Sequence, residues 1–130
     1  MANISPRTSA VPSIDDPSWL HSEVGVDANL TGTLDVATFT EATHFPNGFV
    51  PSGTPVGKVT ATGLYGPYDD GATDGTDTLL GFVYAPAYVE TATDTIGFAL
   101  YHYGVVVEAN LPIAVDAAGK ADVAAFMKFV

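Results

Sequence analysis

The sequence predicts a mainly β protein, and three observations carry that expectation. Val, Thr and Ile total 34 residues, whereas Leu, Met, Lys, Arg and Glu total 18. β-branched side chains lose rotamer freedom in a helix and pack well on a pleated surface. Thirteen Gly and nine Pro are scattered along the chain and cut it into short runs. Short β-rich runs between such breaks are the pattern of a sandwich, a barrel or a bent ribbon. The third observation is that 47% of the 130 residues are hydrophobic. That is enough apolar surface for one folded domain and too much for a disordered acidic tail.

The elements follow in order. Residues 1–30 read as an extended arm, with Pro6, Pro12 and Pro17, many small polar residues and few large apolar ones. The first seven residues lack the apolar stretch of a secretory signal. Asp16 before Pro17 is an N-cap followed by proline at the first helical position, which predicts a single turn over residues 16–20. Trp19, the only tryptophan, sits in that turn. It either anchors a partner or folds back onto the domain.

Residues 31–130 form the folded domain. Leu34 and Val36 alternate with polar neighbours over residues 33–38, a half-buried strand. Turns are expected at residues 45–49 and 51–55, where Pro and Gly cluster. Residues 56–62 alternate again, and residues 79–84 read as a short buried strand ended before Pro86. The longest β candidate is residues 96–109, with Gly104 marking a bend. Residues 111–115 read as a further short strand, residues 116–123 as one or two Ala-rich helical turns, and residues 126–130 as a closing strand. The apolar run at 96–107 is too short to span a bilayer as a helix.

Charge narrows the function. Four basic residues against fifteen acidic ones give a net charge of −11. Such a surface repels phosphate backbones and anionic membranes, so neither a nucleic-acid nor a membrane partner is expected. There is no cysteine, which removes disulfides and thiolate ligands. Residues 53–58 superficially resemble a phosphate-binding loop, but the glycine spacing is one residue short. Val59 stands where Ser or Thr is required, and Pro55 removes an N–H from the cradle. Residues 69–77 hold four carboxylates and two glycines without the ligand order of an EF-hand; Asp and Gly are also what turns require. His21, His44 and His102 have no metal-type spacing. No nucleophile elbow is present, and most acids fall in turns rather than in a catalytic pair. No catalytic residue, metal site or cofactor is therefore expected.

Gly63-Leu64-Tyr65-Gly66-Pro67-Tyr68 is a compact loop whose rings either reach an interface or cap the domain's own core. Tyr65, Pro67 and Tyr68 are the candidates there for a contact with another protein. At this stretch a resemblance becomes visible. Phe45-Pro46-Asn47-Gly48-Phe49, Pro51-Ser52-Gly53-Thr54-Pro55-Val56-Gly57-Lys58, Gly63-Leu64-Tyr65, Tyr68-Asp69-Asp70, Asp74-Gly75-Thr76-Asp77 and Leu80-Gly81-Phe82-Val83 occur in the order seen in head decoration proteins of tailed bacteriophages. The chain resembles the lambda protein D family. Trp19-Leu20 and residues 111–119 resemble the versions found in phages of actinobacteria.

The resemblance implies a β-clip: a sharply bent two-stranded ribbon with an incomplete barrel and a short helix. It implies homotrimers on the outer surface of the virion capsid, made in the host cytoplasm, at three-fold and quasi-three-fold sites. It implies the major capsid protein as partner, stabilisation of the expanded head against packaged DNA, and no catalysis. The longer arm and the extra residues at 86–94 depart from the lambda member. The arm residues Trp19, Leu20 and Leu30 are the candidate shell contacts, by strand addition to a sheet edge. Two other readings compete: an extracellular calcium- or carbohydrate-binding β module using residues 69–77, and a nucleotide hydrolase of clip-type fold, for which no motif is present.

Overall fold

The computed structural model describes residues 16–91 and 95–130. The expected arm therefore lies outside the described residues over 1–15, while its remainder, 16–30, is described. Nine strands are present among the described residues: β1 (Leu30–Asp35), β2 (Phe49–Val50), β3 (Pro55–Lys58), β4 (Tyr65–Pro67), β5 (Gly81–Val83), β6 (Ala87–Tyr88), β7 (Thr95–Tyr101), β8 (Gly104–Val106) and β9 (Met127–Phe129). Two short helices, α1 (Glu41–His44) and α2 (Ala117–Asp122), lie between them. The fold is mainly β, as the composition requires.

Five strands close into a barrel in the order β1-β4-β3-β5-β7. Its longest seam is antiparallel, β1 on β7, from Leu30 opposite Leu100 to Asp35 opposite Thr95. Its thinnest is the parallel pairing of β1 with β4 at Leu34 and Tyr65. The incomplete barrel that the resemblance implies is thus shut by one parallel pair. Two smaller sheets flank the barrel: an antiparallel ribbon of β2 and β6, and a parallel pair of β8 and β9.

β5 and β7 act as a party wall, because alternate residues of a strand point to opposite faces. Val83 opposite Leu100 faces the barrel core, with Leu34, Val56 and Phe98. Phe82 opposite Tyr101 faces a second core, with Trp19, Val106, Val123 and Met127. Burial on both sides explains why residues 79–84 read as a continuous apolar run.

Gly104 opens β8 with φ 147°, where the expected bend falls. Four stretches depart from the expected strands, one of them the end of the run at 96–109, where β8 stops at Val106 and Glu108–Asn110 form a 3-10 turn. Residues 36–38 form a 3-10 turn, since Asp35 Oδ1 accepts from Ala37 N and Thr38 Oγ1 donates back to the Asp35 carbonyl. β3 ends at Lys58 because Gly63, at φ 74°, closes a tight turn whose N–H reaches the Val59 carbonyl. Residues 111–115 carry no strand and lead into α2, whose N-cap Asp116 accepts from Gly119 N at 2.8 Å.

Candidate interaction surface

Trp19 is wholly buried, so the structure settles its two readings: it folds back onto the domain. Its ring lies 5.6 Å from Phe82 and meets Tyr101 edge-on at 5.2 Å. Its Nε1 donates to Ser52 Oγ at 2.8 Å, and that hydroxyl donates to the Tyr84 carbonyl at 2.7 Å. Gly53, at φ 92°, lets the turn approach; a Cβ there would stand 2.9 Å from the indole. The single turn expected at residues 16–20 is present, with Leu20 N donating to the Pro17 carbonyl. A buried Trp19 cannot serve as an exposed anchor for another protein, and that part of the arm expectation is corrected. Leu20 and Leu30 remain reachable, half-buried and exposed respectively.

The segment also adds a strand, but to its own domain. Leu20 bridges Val106 antiparallel, His21 N donates to the Val105 carbonyl, and Val107 N donates to the Trp19 carbonyl. Residues 19–21 thereby cover one edge of β8, and β9 covers the other.

Tyr65, Pro67 and Tyr68 are each half-buried. Tyr65 meets Phe98 edge-on at 5.2 Å, and Lys58 Nζ sits 6.0 Å above its ring. Pro67 pairs with Val56 inside the barrel. Tyr68 donates its hydroxyl to Asp116 Oδ1 at 2.7 Å and packs on Gly119 at the start of α2. Burial first, then the Asp116 carboxylate, pushes the Tyr68 phenol well above its usual range. The Tyr68 hydroxyl in turn holds Asp116 below the usual carboxylate range, helped by Gly119 N. Tyr68 thus clamps the domain's own helix, and Tyr65 borders a groove.

The remaining sequence candidates have local partners. Asp69 Oδ1 accepts from Gly71 N, and Asp74 Oδ1 from Thr76 N and Oγ1, so both acids brace their own turns. The Thr76 bonds hold the Asp74 carboxyl below its usual range. No group of three or more His, Asp or Glu is placed to hold a metal among the described residues. Residues 53–58 are a turn feeding the buried β3. His44 Nδ1 accepts from Thr40 N at 2.8 Å, and burial holds its imidazole below the usual range. His102 Nε2 donates to the Ala28 carbonyl at 2.7 Å.

What the sequence reading missed is an apolar face. A groove of about 230 Å³ is lined by Leu30, Leu80, Leu100 and Phe126 together with Tyr65, His102 and Asp122. A second, of about 290 Å³, runs beside Val24, Tyr103 and residues 124–128. Phe126 belongs to both and is 59% exposed. A large aromatic following an Ala-rich helix was the one signal in the sequence.

These features define a class: a small acidic β-barrel module with an apolar face, whose chemistry-bearing side chains are mostly engaged in bracing its own turns. No helix among the described residues is long and apolar enough to cross a membrane. The family model for bacteriophage lambda head decoration protein D matches residues 22–128, and the chain belongs to that family. No curated protein matches the chain at a significant level. The family is structural and its members are phage head decoration proteins, which places this chain with the virion capsid.

Proposed function

We propose that this protein is a capsid cement. It binds the outer surface of the expanded phage head as homotrimers, at three-fold and quasi-three-fold sites, and joins neighbouring copies of the major capsid protein. Synthesis is in the host cytoplasm and the role is free of catalysis. The family match over residues 22–128 carries this reading. The net charge of −11 supports it, since such a surface suits the outside of a shell whose interior holds DNA.

The mechanism is linkage. A protein that binds the expanded lattice and not its precursor stabilises the expanded state by mass action. Three chains on one trimer engage the shell together, so contacts that are weak singly become tight through effective concentration. We assign residues 1–15 to the shell contact by strand addition, with Leu20 and Leu30 as accessible apolar neighbours. Residues 19–21 are already spent on β8 within the domain.

Co-sedimentation with undecorated heads tests the proposal. The full chain should pellet with expanded heads and remain in solution with unexpanded ones. A chain starting at Asp16 should fold normally and lose most head binding. Equal binding to both head forms would reject the linkage mechanism, and full binding by the shortened chain would reject the terminal contact.

A further inference from the structure

Asn47 is the one asparagine of the chain followed by glycine; Asn3, Asn29 and Asn110 precede Ile, Leu and Leu. A branched side chain shields the amide nitrogen behind it, whereas Gly48 has no Cβ and leaves its nitrogen open to close approach. The fold keeps this pair accessible. Asn47 and Gly48 are both exposed, in the turn between α1 and β2. Gly48 stands at φ 84° with nothing within 4 Å of an added Cβ. The Asn47 side chain has no hydrogen-bond partner among the described residues, so nothing holds it away from the next nitrogen. Gly48 N donates to the Phe45 carbonyl at 3.1 Å, a surface turn bond that opens at little free-energy cost.

We propose that Asn47 is a self-modification site, which deamidates through a ring closed on Gly48. The Gly48 amide nitrogen loses its proton to solvent base and attacks Asn47 Cγ. A bond forms between that nitrogen and Cγ, the Cγ–Nδ2 bond breaks, and Nδ2 takes a proton from solvent and leaves as ammonia. Water then opens the succinimide at either carbonyl, giving aspartate or isoaspartate. One water is consumed, one ammonia is released, and nothing is oxidised or reduced. Two Asp-Gly pairs provide an internal comparison. Gly71 N donates to Asp69 Oδ1, and Asp74 Oδ1 accepts from Thr76 N and Oγ1. Those atoms are engaged, and an ionised carboxylate is a poor target for a nucleophile.

The two products act differently on the β2–β6 ribbon. The Gly48 carbonyl accepts from Val89 N at 2.9 Å, Phe49 pairs with Tyr88, and Val50 beyond it is wholly buried. Aspartate adds one negative charge to the −11 and leaves the backbone alone. Isoaspartate routes the chain through the former side chain and lengthens it by a methylene. That displaces the Gly48 carbonyl from Val89 N, and a hydrogen bond weakens steeply with such displacement. Isoaspartate therefore loosens the ribbon at its open end.

The test incubates the folded full chain in mildly alkaline buffer over weeks. Samples are followed by anion exchange, peptide mapping and methylation with an isoaspartyl methyltransferase. A more acidic species should accumulate, faster as pH rises, with aspartate and isoaspartate both at position 47. Asn47→Gln should abolish it and keep the wild-type melt, since the side chain is exposed. In the isolated isoaspartyl species the Val89 amide should exchange its hydrogen faster than in the wild type. In freshly prepared Asn47→Asp it should exchange at the wild-type rate. A chain that stays uniform over weeks, or an acidic species that maps to another asparagine, would overturn the proposal. Modification at position 47 with unaltered Val89 exchange in the isoaspartyl species would overturn the loosening of the ribbon.

Discussion

The indole N–H of Trp19 donates to the Ser52 hydroxyl at 2.8 Å, across 33 residues of sequence, inside the second core. That bond ties the start of the described chain to the turn before β3. It converts a segment that reads as an arm into part of the fold. Trp19→Ala should lower the unfolding free energy by about 3–5 kcal/mol, the cost of emptying a large aromatic site. Trp19→Phe should cost less, since the ring contacts with Phe82 and Tyr101 partly survive and about 0.5–1.5 kcal/mol of hydrogen bonding is lost. Urea unfolding midpoints check both. A chain that starts at Thr31 loses Trp19 as well. Domain stabilities of about 5–15 kcal/mol leave little margin for that, so it should unfold or aggregate. Shortening to Asp16 should leave the melt unchanged.

Gly104 carries the corner between β7 and β8. A Cβ there would lie 1.8 Å from Tyr101 Oη, the group that donates to the Val24 carbonyl at 2.8 Å. Gly104→Ala therefore adds backbone strain and breaks a hydrogen bond, and should cost about 3 kcal/mol. Gly97, in the same strand system, meets nothing within 4 Å of an added Cβ. Gly97→Ala should be neutral or stabilise by about 0.4–1 kcal/mol. Thermal melts of the pair separate a required glycine from a replaceable one.

Much of the architecture was legible because the signals were local. Residues 79–84 read as a strand since burial on both faces gives an unbroken apolar run, and Gly104 announced the bend that divides residues 96–109 into β7 and β8. The alanines of residues 116–123 announced α2, although its Asp116 cap was not read from them. The rest depended on partners distant in sequence. Nothing near Trp19 reveals Ser52, so its burial could not be decided. Residues 59–62 alternate like a strand, yet the backbone of Gly63 turns the chain there. Leu30, Leu80 and Phe126 stand alone in sequence, and only the packing of the β8–β9 pair beside the barrel brings them to one face. Tyr65 and Tyr68 look equivalent in their loop, but the Asp116 carboxylate, 48 residues on, gives Tyr68 a structural task.

Asp116 and Tyr68 set opposite limbs of the pH profile. Asp116 titrates lower in the folded chain than its ordinary 3.8. Its contribution is therefore complete above that value and disappears as pH falls through the depressed folded pKa. Tyr68 titrates above its ordinary 10.0. Its contribution is complete below that value and fades as pH rises through the elevated folded pKa. Tyr68→Phe should flatten both limbs, with the acid slope of the unfolding midpoint shallower below pH 4. An acid limb identical to the wild type would show that the Tyr68–Asp116 bond is not formed in solution.

Lys120 and Glu108 approach to 2.6 Å, with side chains 34% and 41% exposed. Solvent screens such a pair, so Glu108→Gln should cost less than about 1 kcal/mol. The difference between Glu108→Gln and the wild type should stay within that range in low and high salt. A loss much larger than this would mean that the pair is shielded when copies assemble.

Imaging undecorated expanded heads after mixing with the purified chain tests the cementing role most directly. The account predicts three-lobed density on the outer surface at every three-fold and quasi-three-fold position, together with heads that resist heating. Bare lattice points under saturating protein, or density elsewhere on the shell without added resistance, would contradict it.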